Sequence, residues 1–167
     1  MAEPRADRPQ MPAGYLEEKR LPFAWARARL IHSPNYWIAT VTPEGRPHVR
    51  PVWGVWHEDD ALYFGTGARI ARHLSRDPAV SIHLESADEC VIVEGEARQI
   101  QDPSGLGPVV AQYDAKYSWQ MKPAPGEFWR VVPRVAFGWL CDGSGEDGGA
   151  TFSATATRWR FDAGEVG

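Results

Sequence analysis

The chain has 167 residues, 43% of them hydrophobic and 24% charged, with a net charge of −4. That length and balance suit one soluble globular domain with a core of useful size. They exclude a global attraction to nucleic acid or to an anionic membrane, and no apolar run is long enough for a membrane span. Cys90 and Cys141 lie far apart without zinc-ligand spacing. They imply no disulfide framework, and a reducing cytoplasm is the expected compartment.

In chain order, MAEPRADRPQMPAG (1–14) has no apolar h-region and reads as a disordered lead rather than a signal peptide; residues 15–167 are expected to form the single domain. Residues 15–33 read as a helix with apolar Leu16, Phe23, Ala24, Leu30 and Ile31, which Pro22 caps or kinks. YWIATVT follows as a strand, and PEG at 43–45 turns it into GRPHVRPVWGVW (45–56). After HEDDA come the strand ALYFGTG and a short helix over 68–76, ended by Pro78. VSIHLE (80–85) and CVIVEGEARQI (90–100) are the next strands, with a bulge expected at Gly95. A helix capped at Asp102 precedes the strand FWRVVPRVAFGWL (128–140). CDGSGEDGGA reads as a loop, and TRWRF (157–161) as the last strand. Six or seven short strands with hairpin spacing and two or three small helices predict a mainly β barrel.

GRPHVRPVWGVW alternates like a strand yet carries Pro47 and Pro51. The two prolines are four apart, so both missing donors fall on one edge, which no neighbour can fully pair. One reading is an edge strand guarded by proline against aggregation. The other is an edge left open for a ligand, with Gly54 admitting a flat ring and Arg50 meeting a phosphate. His48, Arg50, Val52, Gly54 and Trp56 share one face by alternation.

TGARIAR (66–72) runs from a strand end into a helix. Thr66 and Gly67 leave amides available at the helix N-terminus, and Arg69 and Arg72 stand on neighbouring positions of one helical face. With Arg50 these residues form a candidate phosphate cradle; the other reading is a short surface helix whose arginines are simply solvated. No G-x-S-x-G, H-E-x-x-H or Walker motif is present, and the histidines lack metal-ligand spacing.

The order IATVTPEGRPHVRPVWGVW, LYFGTGARIARHLSRDPAVSIHLE, CVIVEGEAR resembles the pyridoxamine 5′-phosphate oxidase-like superfamily, and within it the flavin/deazaflavin oxidoreductases. The resemblance implies an FMN-binding type split β-barrel that forms a homodimer, with cofactor sites at the seam and a small-molecule substrate. It implies that Arg50 holds the cofactor phosphate, that Pro51, Val52, Trp53 and Gly54 line the ring, and that Thr66, Gly67, Arg69 and Arg72 complete the cradle. It places partner-subunit contacts at Trp139 and Arg158. The chain departs from the family pattern at Ile70, where a lysine is usual, so Arg69 or Arg72 would have to compensate.

The chemistry so implied is hydride transfer with coenzyme F420, whose oligoglutamate tail suits the arginines at 46, 50, 69, 72 and 76, or alternatively with FMN. His48, beside the ring-lining segment, is a candidate proton donor, although a strand histidine more often packs or hydrogen-bonds. A non-catalytic flavin-, deazaflavin- or haem-binding protein, or a structural dimer that has lost its cofactor, are the other readings.

Overall fold

Phe23, Ala26 and Leu30 recur at helical spacing and are buried, which fixes one side of helix α1 (Phe23–His32) against the sheet. Pro22, extended at φ −67°, supplies the N-cap, and Pro34 follows Ser33 at the other end. The helix is shorter than the 15–33 expected. Residues 19–22 are not helical, and 15–18 lie outside the described residues, which in this computed structural model are 3–10, 19–141 and 145–162.

The remaining elements are strands β1 (Arg5–Asp7), β2 (Tyr36–Val41), β3 (Pro47–Val52), β4 (Gly54–Trp56), β5 (Leu62–Gly65), β6 (Ala79–His83), β7 (Glu89–Ile100), β8 (Phe128–Leu140) and β9 (Thr157–Arg160), and helices α2 (Ala68–Arg76), α3 (Gly107–Tyr117) and α4 (Gly145–Thr155). The fold is mainly β and antiparallel, as expected for a split barrel. The described residues hold nine strands. The excess over the expected six or seven has two sources: the proline-containing strand breaks at Trp53 into β3 and β4, and β1 is added from the N-terminal lead. Residues 5–7 of that lead pair with β9 rather than being disordered, and Asp7 accepts from Arg158 at 2.6 Å and from Arg160 at 3.0 Å.

The ladder runs β1-β9-β8-β7-β6-β2-β3, while β5 joins the first half of β8 and carries β4 on its other side. The barrel is therefore closed by the chain itself where β3 passes into β4. Tyr36, Ile38, Trp56, Phe64, Val93, Val131 and Trp159 fill its interior with residues from α1 and α2. A smaller cluster lies under α3, made by Val55, Tyr63, Val109, Tyr113 and Phe128. The β7–β8 register shifts between Glu94 and Gly95, as the isolated glycine predicts.

Two further elements differ from expectation. Asp102 caps a 3-10 turn, accepting from the Ser104 amide at 2.9 Å, and α3 begins only at Gly107. The glycine-rich stretch expected as a loop, 141–150, holds the start of α4. Each internal glycine disfavours helix by about 1 kcal/mol, but tertiary contacts override this. Phe152 packs edge-on to Trp139 at 5.4 Å, and Thr155 Oγ1 accepts from the Leu140 amide at 2.9 Å.

Candidate cofactor cleft

The proline strand is an edge. β3 pairs only with β2, in the register Val41↔Pro47, Ala39↔Val49, Trp37↔Pro51. The Thr42 amide donates to the Arg46 carbonyl at 2.8 Å, which sets the alternation of the hairpin. His48, Arg50 and Val52 therefore point their backbone groups at β2, and Pro47, Val49 and Pro51 point theirs outward. The outward edge carries one N–H, that of Val49, between two residues that have none. Both expected features of this strand, the open edge and the shared side of the lost donors, are present.

The side chains of His48 and Arg50 stand on the same face as Thr40 and Ile38, toward α2. There they meet Thr66, Gly67, Ala68, Arg69 and Ile70 in a cleft of about 290 Å³. Gly67 is the N-cap of α2 and contributes no side-chain cap, so the first-turn amides of the helix face the cleft without an intrahelical acceptor. Arg50 and Arg69 are exposed, and neither has a carboxylate partner among the described residues. Several arginines elsewhere are paired: Arg27 with Asp60, Arg130 with Asp59, Arg158 with Asp7. The positive charge at the cleft has no carboxylate against it among the described residues, and an anion fits it.

His48 belongs to this cleft. Both its ring nitrogens are shut off from solvent and have no hydrogen-bond partner among the described residues. The ring sits edge-to-face with His73, at 4.9 Å between centroids, and His73 Nδ1 is 3.1 Å from Thr40 Oγ1. Burial first, and then Arg69, His73 and Arg50, push the His48 imidazole below the usual histidine range.

The other predicted site residues divide. Ile70, where a lysine was expected, is buried in the barrel core and closes the cleft floor with an apolar side chain. Arg72 is exposed on α2 beyond the cleft lining. Pro51 and Trp53 are exposed along the edge, and Val52 is buried. Gly54 is buried by its own fold. A Cβ there would lie 2.8 Å from the Tyr63 carbonyl oxygen, so β5 and not a ligand requires the glycine. Its amide donates to Tyr117 Oη at 2.9 Å and its carbonyl accepts from Lys116 Nζ at 2.8 Å. Alternation alone puts His48 beside Arg50. Nothing local signals Lys116 and Tyr117, more than sixty residues downstream of Gly54.

Trp139 and Arg158 do not enter this cleft within one chain. Arg158 lies in a row of cross-strand partners, Pro51↔Trp37↔His83↔Ile92↔Phe137↔Arg158↔Asp7, on the outer face of the sheet. At about 4.8 Å per strand it is roughly 24 Å along the sheet from Pro51. Trp139 lies near that same end, against Phe152 of α4.

A family model described as pyridoxamine 5′-phosphate oxidase matches residues 25–140 of the sequence. The chain belongs to the pyridoxamine 5′-phosphate oxidase family. The match spans both the proline strand and the α2 cradle and stops at the end of β8, so α4 and β9 lie outside it. None of the curated proteins is significantly similar in sequence.

Solved structures share the fold at low identity. The conserved hypothetical protein Rv2991 from Mycobacterium tuberculosis is 23% identical, with a TM-score of 0.61 over 79% of this chain and 90% of that one. A putative 5-nitroimidazole antibiotic resistance protein from Bacteroides thetaiotaomicron is 16% identical, with a TM-score of 0.56 over 81% and 92%. A putative pyridoxamine 5′-phosphate oxidase from Listeria innocua is 19% identical, with a TM-score of 0.54 over 66% and 92%. Among the described residues no helix is long and apolar enough to cross a membrane, and no cluster of potential metal ligands is present.

Proposed function

We propose that this chain is a homodimeric oxidoreductase that binds coenzyme F420 and transfers hydride between it and a small organic substrate. The observation that carries this reading is the cleft where Arg50, Arg69, Thr66 and the uncapped start of α2 converge, with no carboxylate partner for either arginine among the described residues. In this reading Arg50 and Arg69 neutralise the cofactor phosphate, and the first-turn amides of α2 donate to its oxygens. Pro51 and Trp53 offer the ring a flat apolar margin along the open edge, and the Val49 N–H is the edge's remaining donor. The coenzyme, when bound, supplies the hydride chemistry; the protein supplies position and a dry slot.

Exposed arginines along α2 support the deazaflavin. Arg69, Arg72 and Arg76 are three and four residues apart, form one exposed stripe, and extend away from the cleft where an oligoglutamate tail would run. FMN is the second reading, favoured by the cleft itself, which Arg72 and Arg76 do not line.

The outer face of the sheet supports dimerisation. Val49, Ala39, Ser81, Glu94 and Val135 form one cross-strand row. Beside it a shallow groove of about 510 Å³ is lined by Ala39, Val41, Pro47, Ala79 and Val135. A partner packed face to face across this sheet would bring its own Trp139 and Arg158 end toward the Pro51 edge. Fluorescence titration of the purified protein with coenzyme F420 and with FMN tests the reading: tighter F420 binding supports it, and FMN-only binding replaces it with the second.

A further inference from the structure

We propose that His48 is a proton-linked ligand of the anion held in the Arg50–Arg69 cleft, taking up a proton when that anion binds and releasing it when the anion leaves. The inference rests on the reading of the cleft as a phosphate site, and it assigns a role to a residue that the cradle of arginines and amides does not use.

The geometry comes first. His48 lines the same cleft as Arg50, Thr66, Gly67 and Arg69. It is the one cleft-lining side chain whose buried polar atoms have no partner among the described residues. A neutral imidazole has one N–H donor and one acceptor nitrogen, and a buried donor without an acceptor is costly. No hydrogen bond fixes the ring, so turning it about its Cβ–Cγ bond toward the cleft breaks none. A phosphate oxygen is the missing acceptor.

Charge gives the proton linkage. The groups that act on His48 are Arg50 on its own strand and Arg69 and His73 on α2, with no carboxylate among the described residues opposing them. Burial and these neighbours disfavour a further positive charge on the imidazole. A bound phosphate offsets the arginine charges and accepts from the protonated ring, so the same site then disfavours the imidazolium less. By linkage, a ligand that raises the titration midpoint of His48 must bind more tightly as pH falls through that midpoint. Raising the midpoint by one pH unit corresponds to about tenfold in affinity between the two limits. His73 is a poorer candidate for this role, because it is buried and engaged with Thr40.

The test uses FMN as probe against the wild type and His48→Gln, by fluorescence between pH 5.5 and 8. The ionisation of the FMN phosphate is common to both proteins and cancels in the ratio of their dissociation constants. That ratio is expected to be small at pH 8 and to grow about tenfold toward pH 5.5; a ratio flat across the range overturns the proposal. A second arm needs no variant: the His48 ring signals of the wild type are followed by NMR against pH, in inorganic phosphate and in chloride of equal ionic strength. A higher midpoint in phosphate supports the proposal, and an identical midpoint ends it. If FMN binds neither protein at any pH, the cofactor reading fails, and the NMR arm decides the role of His48 separately.

Discussion

Tyr117 grips the backbone of Gly54 from the far end of α3. Its hydroxyl oxygen accepts from the Gly54 amide at 2.9 Å, and its single proton lies between the Gly54 and Pro34 carbonyls, at 2.9 and 2.8 Å. Trp53 stacks on the Tyr117 ring, with centroids 4.7 Å apart and planes 3° from parallel. These contacts hold the one place where the chain leaves the β2 ladder and joins β5, and so they fix the end of the open edge that the cleft depends on.

Two substitutions read the strength of that clamp. Tyr117→Phe leaves the buried Gly54 amide without an acceptor, a loss of about 1–3 kcal/mol. Gly54→Ala drives a methyl into the Tyr63 carbonyl and the Leu62 side chain, and overpacking of this kind costs about 1–3 kcal/mol. Urea unfolding is expected to show both losses. A neutral Gly54→Ala would mean that β5 does not press on this residue.

Lys116 makes the clamp pH-dependent. Its ammonium donates to the Gly54 carbonyl and lies 4.7 Å from the centre of the Tyr36 ring, and burial brings its pKa down to about 8. The folded value lies below the ordinary 10.5, so between the two the unfolded chain binds more protons than the folded one, and this group makes stability rise with pH across that window. The rise in wild-type stability from pH 8 to 9.5, measured by urea unfolding, is expected to shrink in Lys116→Met. An unchanged slope would place the titration of Lys116 elsewhere.

The parts of this architecture written in local pattern were legible in the sequence. Helix α2 and strand β8 occupy their expected spans of 68–76 and 128–140, the Gly95 bulge is where the lone glycine stands, and Pro47 and Pro51 mark a true edge. Arg50, Thr66, Gly67 and Arg69 do converge, because strand alternation and a helix start are short-range rules. What failed depended on distant partners. The sequence offers Gly54 as an opening for a ligand, whereas β5 occupies that space. The glycines of α4 argue for a loop, but Trp139 and Leu140 hold a helix there. Asp7 sits in a segment with the composition of a disordered lead, and two arginines at the other end of the chain give it a place.

Association through the outer sheet face predicts a dimer in solution. Light scattering at micromolar concentration is expected to give twice the chain mass, and Val135→Arg, which puts a charge into the groove between β2 and β8, is expected to shift the protein to monomer. A wild-type monomer under these conditions would contradict the shared-site arrangement.

The choice between cofactors turns on the arginine stripe of α2. Arg76→Glu is expected to weaken F420 binding several-fold at low salt and to leave FMN binding unchanged, because a single phosphate at the helix start is remote from the last turn. The difference should fade in high salt, since exposed charges are screened over about 10 Å at 0.1 M and less above it. Equal losses for both cofactors would remove the argument for the tail.

The central claim, that an anionic flavin-type cofactor is anchored where β3 meets the start of α2, is tested most directly by the dissociation constants of F420 and FMN for the wild type, Arg50→Ala and Arg69→Ala. A charge-assisted contact is worth about 1.5–3 kcal/mol, so each substitution is expected to weaken the preferred cofactor roughly 10- to 150-fold. Neither arginine is paired among the described residues, so both variants should unfold in urea as the wild type does. Unchanged dissociation constants in two folded variants would contradict the account and move the cofactor out of this cleft.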